Sequence, residues 1–423
     1  MMQGGSRDAR PTDFISRDDI LGMIRAAFQS RDSGYSEDKK RRKDRIGSLS
    51  KTLRDMQADG HSMLCSEQIA LEAKWRINYS DDWSSVDRRL DDLEVSLKNP
   101  QQDEILQQAD GSWGPYYEED YMKLEPTVEM LQKSGIQPAQ LKPLRFMADF
   151  KDPKWLANYL HRLQISDIAA SGRNERAELG AVQTAMSQLI CKDELRELLQ
   201  SPSLDFSISD EMEIGYLDYL RQTQHPRTGY WGPWYRFGGR LFAVQDLSFT
   251  FHVIHYRSGN VDNWPQIVDS TFAIKNLVYP AGWRPDADSQ YSDHNNYDIV
   301  EILFHGWPHM SVSQKERARK EIAAMLEWCL TASVQGDGFA SGEGEELDAY
   351  YFGVRFLDRV GFWDKAKRFW SRVEPPLPAG TPTPRDLAQH LARGFATLND
   401  TSEEGDTVRS LLRAALCLNQ PSA

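Results

Sequence analysis

The chain has 423 residues, 40% of them hydrophobic and 11% aromatic with twelve Trp, enough to bury one large core or two ordinary ones. Its 63 acidic and 50 basic residues leave a net charge of -13, a sign that disfavours nonspecific binding to nucleic acid or anionic lipid. No stretch approaches the roughly 20 apolar residues of a membrane-spanning helix, and the N-terminal region holds no signal-like apolar core, so a cytoplasmic protein without an integral membrane segment is expected. Cys65, Cys191, Cys329 and Cys417 lie far apart and suggest buried thiols rather than a zinc cluster or a disulfide framework.

Residues 1–99 read as an N-terminal helical extension. The stretches SRDDILGMIRAAFQ and SEQIALEAKWRI carry helical apolar spacing, with Ser16 and Ser66 as N-cap candidates. The basic run KKRRKDR at 39–45 reads as a solvated, partly disordered face rather than a phosphate grip or nuclear signal. DDWSSVD at 81–87, followed by DDLE at 91–94, reads as an acidic solvated helix. A magnesium-binding reading of it lacks its companion Asn/Ser/Glu motif.

From residue 100 a design recurs. QADGSWGPYY at 108–117 is echoed by QHPRTGYWGPWY at 224–235, then by PAGWRPD at 280–286 and QGDGFASG at 335–342. With Gly172 as a member lacking Trp, the markers Gly111, Gly172, Gly229, Gly282 and Gly338 are 61, 57, 53 and 56 residues apart. Each interval accommodates two helices. The runs PTVEMLQKSG, DLSFTFHVIHYRSG, NYDIVEILFHGW and LDAYYFGVRFLDRVG repeat apolar residues every three or four positions, as helices with one buried face do, and three of them close on Gly. Stacked helix pairs make an open solenoid or a closed ring. A Pro-rich connector at 374–386 leads to a last helical hairpin, so residues 100–373 are the repeats and 374–423 complete them.

The segments Gln108–Trp113 and Gln224–Trp231 resemble the QW repeat of squalene and other terpenoid cyclases, in which Gln and Trp tie an outer helix to the next turn. The resemblance covers roughly residues 100–370. It implies the fold shared with protein prenyltransferase β-subunits: an all-α, (α/α) toroid of inner and outer helix rings around a central cavity. Toroids also host glycosidases and polysaccharide lyases, so the fold leaves the activity open. Class II cyclases carry an Asp-rich DxDD motif whose middle Asp donates a proton. Laid on YSDHNNYDIVEILF, that motif falls on Asp293, His294, Asn295 and Asn296, and Asn295 at the donor position is not an acid. DADS at 286–289 keeps Asp286 and Asp288 but sits close to the turn.

In a toroid the N-termini of the inner helices converge, which makes Glu125, Asp246, His294, Asp298 and Asp348 candidates to face one cavity; each also reads as a helix cap or first-turn acid. Acid-initiated isoprenoid cyclisation would use Asp293 or Asp298 as donor, with His294 orienting it and Asp246 and Asp348 as further carboxylates. A carbohydrate-active hydrolase or lyase would instead use His294, Asn295, Asn296 and Tyr297 on an oligosaccharide, and a noncatalytic binding toroid is the third reading. Trp231, Trp234, Tyr235, Phe237, Tyr350 and Tyr351 are candidate walls for a cation or a sugar. No HExxH, P-loop, dinucleotide or GxSxG motif occurs, and the histidines 252, 255, 305 and 309 define no metal set, so no metal or cofactor is expected.

Overall fold

The computed structural model describes residues 13–14, 35–59, 61, 63, 66, 69–70, 73–74, 76–77, 83–98, 107–113, 120–132, 138–167, 170, 174–286, 288–341, 346–377, 380–398, 400 and 403–418. Helix dominates them. In chain order the elements are β1 (Asp13–Phe14), α1 (Tyr35–Ala58), α2 (Trp83–Lys98), α3 (Asp120–Gln132), α4 (Pro153–Gln164), β2 (Ile165–Ser166), α5 (Arg176–Cys191), α6 (Asp193–Leu199) and α7 (Asp210–Thr223). There follow β3 (Trp234–Phe237), β4 (Arg240–Ala243), α8 (Leu247–Tyr256), α9 (Trp264–Ala273), α10 (Asp293–Gly306), α11 (Val312–Trp328), β5 (Val334–Gln335), β6 (Gly338–Phe339), α12 (Glu346–Arg359), α13 (Pro384–Ala396) and α14 (Glu403–Leu418). Two compact units result, residues 1–225 with 231–249, and 226–230 with 250–423. Among the described residues no helix is long and apolar enough to cross a membrane. Ser16, Gly172 and the helix expected at 16–29 lie outside the described residues, as does the Glu125 side chain.

In the first unit, α1 and α2 pack with Ile46, Leu53, Val86, Leu90, Leu93 and Leu97 in one small core. The basic run falls inside α1, which corrects the expectation of partial disorder, while Lys40, Arg41, Lys43 and Asp44 are exposed as a solvated face requires. Arg42 is buried and grips Asp87 through Nε (2.8 Å) and Nη2 (2.6 Å), while Arg45 reaches Asp91 (2.7 Å) and Glu94 (2.8 Å). The acidic stretch of α2 is therefore the partner of the basic stretch of α1. Ser66 shares a hydrogen bond with Ser96 (2.7 Å).

The same unit holds a four-stranded mixed sheet in the order β1-β4-β3-β2, a feature the all-helical expectation omitted. β3 and β4 form an antiparallel hairpin in which Trp234 faces Ala243 and Phe237 faces Arg240. Its two-residue turn is Gly238-Gly239, with φ of +56° and +76°, values that glycine adopts at no steric cost and that suit the strand twist.

In the second unit, α8, α10 and α12 lie side by side and run parallel. Phe251 meets Tyr297 and His255 meets Glu301, then Tyr297 meets Phe352 and Glu301 meets Arg359, with both indices rising together. Helices α9 and α11 are likewise parallel, joined by Gln314–Asp269 (2.7 Å) and by Arg317 donating to the Phe272 carbonyl (3.3 Å). From α8 to α12, alternate helices are thus parallel neighbours.

The repeated Trp has a defined task. The Trp231 indole donates to the Leu220 carbonyl in the last turn of α7 (2.7 Å), and the Trp283 indole to the Thr271 carbonyl in the last turn of α9 (2.7 Å). Trp370, outside the recognised turns, does the same to Val360 just past α12 (2.9 Å). A helix leaves its last carbonyls without partners, and a buried indole N–H satisfies one while its rings fill the core. Gly229 has φ +69°, and a Cβ there would lie 2.7 Å from Ile267 Cγ1, so the turn admits no side chain. The fourth turn differs: Gly336-Asp337 joins β5 to β6, and the Phe339 side chain has no N–H to donate.

Candidate active site

Helix α10 starts at Ser292, whose hydroxyl accepts from the Asn295 N–H (3.2 Å), and the buried Ile299, Val300, Ile302 and Leu303 bind it among its neighbours. Into that buried helix the sequence places Asp293, Asn295, Asn296, Asp298 and Glu301, all below one tenth exposed. Burying ionisable groups costs free energy unless each is paired or neutralised, so their partners are informative.

His294, Asp298, Glu301 and His305 share one stripe of α10, and Asp348, Phe352, Arg355 and Arg359 share one of α12, both spaced i, i+4, i+7, i+11. At the N-terminal end His294 stands between two carboxylates, with Nε2 3.7 Å from Asp298 and Nδ1 3.8 Å from Asp348, and its ring stacks on Phe352 at 4.0 Å. The Tyr279 hydroxyl lies 3.4 Å from His294 Nε2 and 3.5 Å from Asp298 Oδ2. Asp298 is 0% exposed, the His294 side chain 39% and Asp348 68%. The set forms a path from a buried carboxyl through imidazole to solvent.

Burial pushes the Asp298 carboxyl up to about 7, against the opposing pull of His294, the Tyr279 hydroxyl and Arg355. Its Oδ1 is buried without a hydrogen-bond partner. For His294 burial works against the cation, but the charge of Asp298 and the hydrogen bond and charge of Asp348 outweigh it and raise the pKa. Asp293 is also pushed up to about 7 by burial, although the Ser333 hydroxyl and the Cys329 thiol donate to it. Both carboxyls are thus proton holders near neutrality.

Further along the stripe Glu301 is ionised. Burial would raise its pKa, but hydrogen bonds from His255 and His305 and the Arg359 charge bring it below the usual range. Arg359 reaches Oε2 at 2.7 Å and Oε1 at 3.0 Å, His255 lies at 3.2 Å and His305 at 3.3 Å. Between the two clusters, Arg355 lies over the Tyr297 ring at 4.3 Å and the Tyr351 ring at 4.7 Å and donates to the Tyr351 hydroxyl. The Tyr297 hydroxyl and both amide atoms of Asn296 are buried without hydrogen-bond partners.

The structure therefore brings together His294, Asp298, Asp348, Tyr297 and Tyr351. Other expected residues have different employment. Asp246 belongs to the first unit, where its carboxylate accepts from Arg176 Nε (2.8 Å) and Nη2 (3.0 Å) and caps α8 through the Phe249 N–H (3.0 Å), so it fills the helix-capping role rather than the cavity-facing one. Asn295 donates to the Trp283 carbonyl (2.7 Å) and so anchors a turn. Trp231 is the buried helix cap described above. Trp234 and Tyr235 lie in β3, with the Tyr235 hydroxyl donating to Asn174 (3.1 Å). Tyr350 is buried against Phe339 and Phe395 and donates to the Asp337 carbonyl (2.6 Å). Asp286 accepts the N–H groups of Asp288 and Ser289, which hold its pKa low; it is not a proton donor. Tyr279, Phe352, Arg355 and Glu301 were not anticipated, although the charged i, i+4, i+7 spacing of 294–301 and 348–355 was a usable signal.

No protein-family model matches the chain, and neither a curated protein nor a solved structure matches it. The chemistry has to be read from these residues.

Proposed function

We propose that the protein is an enzyme of acid–base chemistry, that its helical hairpins form an α/α toroid, and that it starts the cyclisation of an isoprenoid by proton transfer from Asp298. The observation that carries the reading is the Asp298 carboxyl, fully buried, pushed up to about 7, with one oxygen unpartnered and the other facing Tyr279 and His294. Such a group keeps a proton at neutral pH, as a general acid must. Transfer to an alkene forms a C–H bond and leaves a carbocation beside the aromatic rings of Tyr279, Tyr297 and Phe352. His294, half open to water, returns a proton to the carboxylate. The parallel alternate helices and the Trp-capped turns support the toroid.

A second reading is favoured by one juxtaposition, Arg355 over the Tyr297 ring: the arginine could bind the carboxylate of a uronate-containing oligosaccharide and the tyrosine move its α-proton. Incubation of the purified chain with prenyl diphosphates and neutral polyprenes, and separately with neutral and uronic oligosaccharides, tests both. Cyclised products of unchanged mass support the first reading, and an unsaturated uronate absorbing near the ultraviolet edge supports the second. Released reducing ends mark a hydrolase, and silence in every arm points to a binding toroid.

A further inference from the structure

Arg355 carries a permanent positive charge that feels Glu301 at a distance but has no ion-pair partner of its own among the described residues. The natural candidate, Glu301, is already engaged: Arg359 holds both of its oxygens and His255 and His305 crowd Oε1. Among the described residues no carboxylate lies within ion-pair distance of Arg355, and its hydrogen bond to the Tyr351 hydroxyl uses one of five N–H donors. The guanidinium plane is held by the faces of Tyr297 and Tyr351, which fix its direction and leave its edge for a ligand. Beside it the buried hydroxyl of Tyr297 has no hydrogen-bond partner. An unpaired buried hydroxyl next to an arginine without an ion-pair partner costs stability unless a ligand satisfies it.

We infer that Arg355 binds an oxyanion, a carboxylate or phosphate group of the substrate, with the Tyr297 hydroxyl as an additional donor. Bidentate recognition by a guanidinium suits both groups. The inference rests on the α10–α12 stripe being the active site, and it fixes the ligand class: an anionic isoprenoid diphosphate or an acidic sugar, not a neutral polyprene or a neutral glycan.

The test uses the full chain and two probes, inorganic pyrophosphate and sodium glucuronate, titrated by calorimetry. Saturable binding of either is expected, and the probe that binds tells a phosphate source from a carboxylate source. Arg355→Gln should weaken that binding by about tenfold or more. Arg355→Lys keeps the charge and the stem but not the fork, so it guards against a folding failure and should also bind less tightly. Failure of both probes to bind, or wild-type affinity in the folded variants, overturns the inference. Asp298→Asn should still bind the probe, so loss of turnover there and loss of binding at Arg355 report on separate claims.

Discussion

Two pairs of parallel helices in this chain use the same residue types to opposite effect. Between α1 and α2, Arg42 and Arg45 each meet carboxylates, and three of those carboxylate side chains, Asp87, Asp91 and Glu94, are 43%, 68% and 40% exposed. Between α10 and α12 the carboxyls of Asp298 and Glu301 are buried, and burial moves Asp298, and Asp293 on another face of α10, to about 7. Water screens the half-open Arg45 pairs of the first set, which contribute little beyond solubility and register. In the second set the same chemistry, taken out of water, sets protonation states and leaves donors free. Burial, more than charge pattern, separates a structural zipper from a candidate site.

The largest effect expected from this contrast is on turnover. Asp298→Asn preserves shape but cannot donate a proton, and activity on whichever substrate is identified should fall by about 10²–10⁴-fold. Activity equal to wild type, measured with the fold intact by circular dichroism, removes Asp298 as the acid.

Breaking the buried ion pair comes next. Arg359→Gln deprives the ionised Glu301 of its permanent counter-charge and should destabilise the protein by about 3–5 kcal/mol at pH 8 in denaturant melts. The loss should shrink on acidification as His255, whose pKa burial depresses against the pull of Glu301, becomes cationic. A pH-independent loss would mean that the histidines do not share the carboxylate.

Asp293 tests the raised carboxyls through stability. Its folded pKa of about 7 lies above the ordinary 3.8, so its contribution is fully present below pH 3.8 and is lost as pH rises through 7. Asn does not titrate, and Asp293→Asn should remove from the wild-type stability curve a decline of about 4 kcal/mol over that window. An unchanged slope would place the Asp293 pKa near that of a solvated carboxyl.

The smallest effect belongs to the exposed zipper. Arg45→Gln should cost less than about 1 kcal/mol, and less again in high salt. A loss comparable to that at Arg359 would erase the distinction between the two helix pairs.

The sequence by itself determined the helical class, because apolar spacing of three and four survives in any buried-face helix, and it marked the Gly-Trp turns, because a side-chain-free turn and a large buried indole leave a local signature. It also pointed to Asp298 and His294, polar residues opening an apolar helix. It could not show that Asp246 spends its charge on Arg176, seventy positions away in the chain, or that Asn295 holds a turn carbonyl, since both depend on which backbone lies opposite. The hairpin at residues 234–243 was readable from its Gly-Gly turn, yet its aromatic residues suit a pocket wall equally well. Only tertiary packing brought the stripe of α10 against the stripe of α12, excluded water from Asp298 and left Arg355 without a carboxylate, because desolvation and pairing are properties of neighbours that no local pattern encodes.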